Sequence, residues 1–274
     1  MRGALRKRAR EKRLRQDLTD SQVLDLSELR TFCLALGPYR SHSSITASIV
    51  ATHPHGQAIN HGGQLVLNDP RLDFLTANDS ATTERFLRYG LHIALGRVGD
   101  PPEGTPPVHA FLWSDPPRVS RHLRRHDLDL DALLEREPRL RFIMTIRHPV
   151  ACAHANHRMG TGRLFGIDKD APQTSYLSGV LREILWFIEL EQRHPERFLH
   201  LHAADFGPIS ADRLARFLGL EALEPWRSTS GSRYQLDDQV LATRNLLDHY
   251  RRQVEELFAP HPTMAERLLA YLDD

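Results

Sequence analysis

Five consecutive residues, Arg40, Ser41, His42, Ser43 and Ser44, gather one guanidinium, three hydroxyls and an imidazole. Arg offers a planar fork of N–H donors and each Ser adds a small one. No carboxylate stands among them, so the set suits an anion. The flanking residues agree. Residues 32–36 form a short apolar run closed by Gly37-Pro38, which predicts a buried strand and a turn. From Ser43 onward Ile45, Ile49 and Val50 share one side of a helix, with a Ser available as N-cap. Strand, turn and helix N-terminus together offer an anion free backbone N–H groups and the positive end of the helix dipole. A second guanidinium, Arg147, closes another apolar run, residues 141–147, just before His148-Pro149.

This turn is not the lysine-containing phosphate loop of ATPases. No Gly-Lys-Ser/Thr occurs, and Lys7, Lys12 and Lys169 are the chain's only lysines, none placed to substitute. An Arg-based anion turn with a second strand-end Arg suits a phosphorylated nucleotide handled without an obligatory metal. The sixteen histidines include the close pairs His53/His55, His154/His157 and His200/His202. No His-Glu-x-x-His and no Cys/His cluster accompanies them, so no metal is expected.

Several elements must hold these residues. A second strand is expected over Gly56–Asn60, a third over 108–113, a fourth over 141–147 and a fifth over 198–203. Between them the spacing predicts helices over 82–98, 119–137, 175–194 and 210–218, the last stopped by Gly219. Two closing helices are expected over 236–257 and 263–272. Strands alternating with helices argue for an α/β fold, a central parallel sheet flanked by helices in three layers. Ligands of such sheets sit beyond the carboxyl ends of the strands. Arg40 and Arg147 are thus expected on one edge, facing one polyanion.

The chain's 274 residues and ordinary apolar content fit a globular protein, with no run long enough for a membrane span and no secretory leader. Two cysteines, Cys33 and Cys152, exclude a disulfide framework and suit a cytoplasmic location. Residues 1–16 carry eight basic side chains against Glu11, a net of +7, which leaves −6 for the body of a chain whose total is +1. Such an arm leaves a nucleic-acid or acidic partner open, but no nucleic-acid module is visible, and a solvated tail is the simpler expectation. We divide the chain into an arm and lead-in, 1–30, and a single α/β domain, 31–274. Its oligomeric state is not read from the sequence.

Three segments, in order, resemble one family. Arg40-Ser-His-Ser-Ser44, with His53-Pro54 nine residues on from Ser44, resembles the phosphosulfate loop of PAPS-dependent sulfotransferases, closest to the tyrosylprotein and bacterial carbohydrate or natural-product branches. Phe142-Ile-Met-Thr-Ile-Arg147-His-Pro149 is similar to the strand and Arg that bind the 3′-phosphate. Residues 198–206 with Arg216-Phe-Leu-Gly-Leu220 resemble a late strand and helix end. The resemblance implies a P-loop-like fold and sulfuryl transfer from PAPS (3′-phosphoadenosine 5′-phosphosulfate) to a hydroxyl of a small molecule or glycan, with no metal. It implies Arg40 at the transferring sulfonate, Ser41, His42, Ser43 and Ser44 around the 5′-phosphate, and Arg147 on the 3′-phosphate. Asn156 or His154 can stand in for a missing serine, Ala155 occupying that position, and Arg233 lies in a closing loop. His61 is the first candidate base and His109 the second. His42 replaces the family's loop glycine, and Ser114-Asp115 stands where many relatives have a Lys. A different P-loop transferase or kinase, or an inactive relative acting as a binding protein, is the alternative.

Overall fold

The computed structural model describes residues 2–60, 67–77, 79–96, 106–168, 170–223 and 244–272. Five strands form one sheet: β1 Thr31–Leu36, β2 Gly56–Asn60, β3 Ala110–Ser114, β4 Leu140–Ile146 and β5 Phe198–His202. Their spatial order is β2-β3-β1-β4-β5, and all pairs are parallel. The helices are α1 Arg2–Asp20, α2 Ser43–Thr52, α3 Ser80–Gly96, α4 Pro116–Arg125, α5 Leu130–Arg136, α6 Pro149–Arg158, α7 Gln173–Arg193, α8 Pro208–Leu218, α9 Arg244–Leu257 and α10 Pro262–Leu269. Among the described residues no helix is long and apolar enough to cross a membrane.

Strand periodicity builds the layers. Every residue of β1 is buried. Phe32, Leu34 and Leu36 face one hydrophobic cluster, while Cys33 and Ala35 face the other. β4 does the same, with Phe142, Met144 and Ile146 on the first face and Ile143 on the second. Two-sided burial is why these strands read as continuous apolar runs rather than alternating ones. The first face packs residues of α3, α4, α5, α7 and α9, and the second those of α2 and α8. Both cysteines are buried free thiols.

The sheet order places the functional crevice. The chain leaves β1 toward β2 and leaves β4 toward β5, so the connections of these two neighbours diverge. Parallel sheets open a crevice outside the carboxyl ends of such a pair. The turn after Leu36 and Arg147 after Ile146 stand on its two sides.

Two expectations are revised. The expected helix over 119–137 is two helices. α4 starts earlier because Pro116 and Pro117 suit a first turn, and it ends before Asp127, which adopts φ 44°. Asp129 then caps α5 by accepting a bond from Ala132 N–H at 3.0 Å. The basic arm is not a loose tail but the greater part of α1. Leu14 is buried in the main core, with Leu18 packed beside it one turn on. Arg71 bonds Glu11 at 3.1 Å.

Candidate functional site

The turn between β1 and α2 is built on left-handed backbone. Gly37 takes φ 108°, Arg40 φ 61° and His42 φ 69°. The left-handed region costs a residue with a Cβ roughly 1 kcal/mol or more. Two consecutive-but-one residues held there indicate a turn whose shape is imposed from outside. Gly37 is the position where glycine is required, because an added Cβ would also lie 3.0 Å from Met144 Cε. His42 occupies the N-cap position of α2 without a side-chain capping bond. Ser43 and Ser44 are the first helical residues, so no carbonyl of their own helix reaches their N–H groups. The Ser41 hydroxyl is buried and has no hydrogen-bond partner among the described residues. A buried hydroxyl left unpaired is costly, and a bound oxyanion would satisfy it.

The floor of the turn is a set of side chains from α6. The Asn156 amide, wholly buried, donates to the Tyr39 carbonyl and to the Cys152 carbonyl, each at 2.8 Å. Its oxygen accepts from Thr161 Oγ1 at 2.8 Å. Cys152 Sγ also reaches the Tyr39 carbonyl, at 3.1 Å. Burial pushes the Cys152 thiol up to about 12, which keeps it protonated and donating. Asn156 was expected to bond a ligand phosphate. Both its amide hydrogens are instead spent on the protein, because one turn of helix separates it from Cys152 and the loop lies directly above.

The two arginines meet. Arg147 Nη1 donates to the Arg40 carbonyl at 3.3 Å, so the end of β4 grips the turn after β1. Arg40 is exposed, and its Nε donates to Met159 Sδ at 3.1 Å. Below them Thr46 of α2 and Thr145 of β4 share a buried hydroxyl bond of 2.9 Å. This bond fixes the N-terminal turn of α2 against the strand that carries Arg147. His42 is half-buried beside Arg147. Desolvation first, and the Arg147 charge second, push its imidazole down to about 4, so it is neutral near pH 7.

His109 does not join this group. It directly precedes β3, where its carbonyl accepts from Arg30 and Thr31 N–H at the start of β1. That is the amino edge of the sheet, opposite the crevice and one strand length away. A parallel strand carries only its last residues to the carboxyl edge, so the first residue of the run points elsewhere. His109 stacks on His55 with centroids 4.2 Å apart and lies 3.9 Å from Glu28. His61 and Arg233 fall outside the described residues. Among the described residues no three His, Cys, Asp or Glu side chains gather in a metal-holding group.

Sequence reasoning gave no role to three groups. Asp115 follows β3 at the crevice edge, wholly buried and bonded by Arg118 Nη1 at 2.9 Å. Thr145 was hidden inside an apolar run, where a lone hydroxyl on one face was the available signal. Ser120 of α4 accepts the Gly37 N–H at 2.8 Å; nothing in its local sequence marked it.

No family model matches this chain. No curated protein matches it significantly. The solved structures it resembles include several sulfotransferases. A sulfotransferase from Mycobacterium avium has 14% identity and a TM-score of 0.44, with 91% of this chain and 79% of that one covered. One from Alicyclobacillus acidocaldarius has 12% identity and a TM-score of 0.44, covering 84% and 95%. The sulfotransferase domain of a Synechococcus olefin synthase has 15% identity and a TM-score of 0.41, covering 78% and 82%.

Proposed function

We propose that the crevice binds PAPS and that the protein transfers its sulfuryl group to a hydroxyl of a small molecule or glycan. The observation that carries this reading is the contact between Arg147 and the Arg40 carbonyl, over a helix N-terminus without a side-chain cap and a buried Ser41 hydroxyl unpaired among the described residues. Two guanidiniums from neighbouring strand ends suit a ligand with two anionic groups. Ser41, Ser43, Ser44 and the backbone N–H groups cradle the 5′-phosphate, with His42 beside them. Arg147 takes the 3′-phosphate, and Asn156 supports the turn from beneath.

The acceptor oxygen attacks sulfur as the bond from sulfur to the phosphate oxygen breaks, and the nucleotide leaves as the 3′,5′-bisphosphate. Charge spreads over the equatorial sulfonate oxygens and onto the leaving oxygen, where Arg40 stabilises it. His61 accepts the acceptor's proton, since an unperturbed imidazole titrates near neutral pH. Arg233 closes over the nucleotide.

A thermal-shift panel tests the reading. A ligand present at 100 times its dissociation constant stabilises a fold by about 2.7 kcal/mol. We expect a clear upward shift with 3′-phosphoadenosine 5′-phosphate and little with ATP and Mg²⁺. The reverse order would favour a kinase and overturn the proposal.

A further inference from the structure

The turn at Gly37 hangs from a buried hydroxyl that the proposed reaction does not use. The Gly37 N–H donates to Ser120 Oγ at 2.8 Å. Ser120 lies on α4 and is fully buried. The hydroxyl thus accepts from Gly37 and retains its own proton to give. Near it on α7 lies the Glu183 carboxylate, whose Oε2 has no hydrogen-bond partner among the described residues. Glu183 is 2% exposed, and the Arg124 guanidinium bonds its Oε1. Arg124 in turn lies over the Trp186 ring, 5.2 Å from its centroid.

This arrangement is expensive where it sits. An ion pair under a sheet is often no more stable than apolar side chains of the same volume. Burial pushes the Glu183 carboxyl up, with Arg124 and Ser120 opposing. The Ser120 hydroxyl is aimed at a single backbone N–H, the first of the anion turn. It reaches that N–H from α4, on the sheet face opposite α2.

We propose that Ser120 is a positioning residue that fixes the Gly37 peptide and so aims the N–H groups of the turn at the donor's phosphate. The proposal rests on reading the turn as a nucleotide site. It assigns the region behind the sheet a part in donor affinity. Ser120 touches neither donor nor acceptor.

Ser120→Ala and Ser120→Thr in the full chain test it with three readouts. These are calorimetric affinity for 3′-phosphoadenosine 5′-phosphate, hydrogen exchange of the amides in residues 37–44, and the denaturation midpoint. We expect folded Ser120→Ala to bind about tenfold more weakly and the Gly37 amide to exchange about tenfold faster. Ser120→Thr, which keeps the acceptor, should return both to within about threefold of wild type. A Ser120→Ala protein with a lower midpoint but unchanged affinity and exchange makes Ser120 a packing residue and overturns the proposal. If the wild type does not bind the nucleotide, the functional reading fails instead, while the exchange rates still decide whether Ser120 tethers the turn.

Discussion

His42 carries the sharpest consequence at the scale of one residue. Its backbone sits at φ 69°, a conformation glycine adopts freely, yet it holds an imidazole beside Arg147. The sequence pointed to this position as a departure from a glycine, and the backbone shows why a glycine would be at ease there. It could not show the pH consequence, which needs the packed neighbour. The His42 value of about 4 lies below the ordinary 6.5. Above pH 6.5 the group is neutral in both folded and unfolded chains. As pH falls from 6.5 toward 4 the unfolded chain takes up a proton that the folded one refuses, so stability drops across that window. After discounting for partial exposure, His42 accounts for roughly 1–2 kcal/mol of this loss by pH 4.5. Urea midpoints at pH 7 and pH 4.5 measure it. His42→Gly should lose less stability on acidification than wild type. Equal losses would show that the imidazole titrates normally.

Among elements, the strands were the most legible. A strand buried on both faces writes an unbroken apolar run, and 32–36 and 141–147 announced themselves that way. Gly219 ends α8 in the left-handed conformation expected of a terminal glycine. The helices after β3 were less legible, since leucines kept helical spacing through a break that Asp127 and the Asp129 cap create. α1 was the element most misjudged. Its charge concealed Leu14 and Leu18, because two apolar residues in a basic run give a weak periodicity, and their burial depends on a distant partner, α3. Removing residues 1–20 should therefore lower unfolding free energy by about 2–4 kcal/mol through lost apolar burial. Affinity of the folded remainder for the nucleotide should stay within about threefold, because the described packing of α1 is chiefly on α3. An unchanged denaturation midpoint would show that α1 does not pack on the body.

At the scale of the whole molecule, the parallel sheet could be argued from the alternation of elements, and its carboxyl edge from general topology. The strand order could not, since no local pattern records which strand lies beside which. That order makes β1 and β4 neighbours and turns two separate arginines into a pair. It also separates His109 from them, although in sequence His109 lies between the two. Asn156 shows the same limit at close range, its amide spent on a loop more than one hundred residues away in the chain.

The central claim is that Arg147 holds the second anionic group of a nucleotide whose first lies in the turn. Calorimetry of 3′-phosphoadenosine 5′-phosphate and adenosine 5′-phosphate, on wild type and Arg147→Ala, isolates it. Arg147 also grips the Arg40 carbonyl, so both nucleotides should weaken on the variant, and the ratio of their affinities is the informative quantity. We predict that wild type prefers the bisphosphate by about 10- to 100-fold, the range of a charged hydrogen bond, and that Arg147→Ala reduces the preference to about threefold or less. The same preference in both proteins would contradict the account.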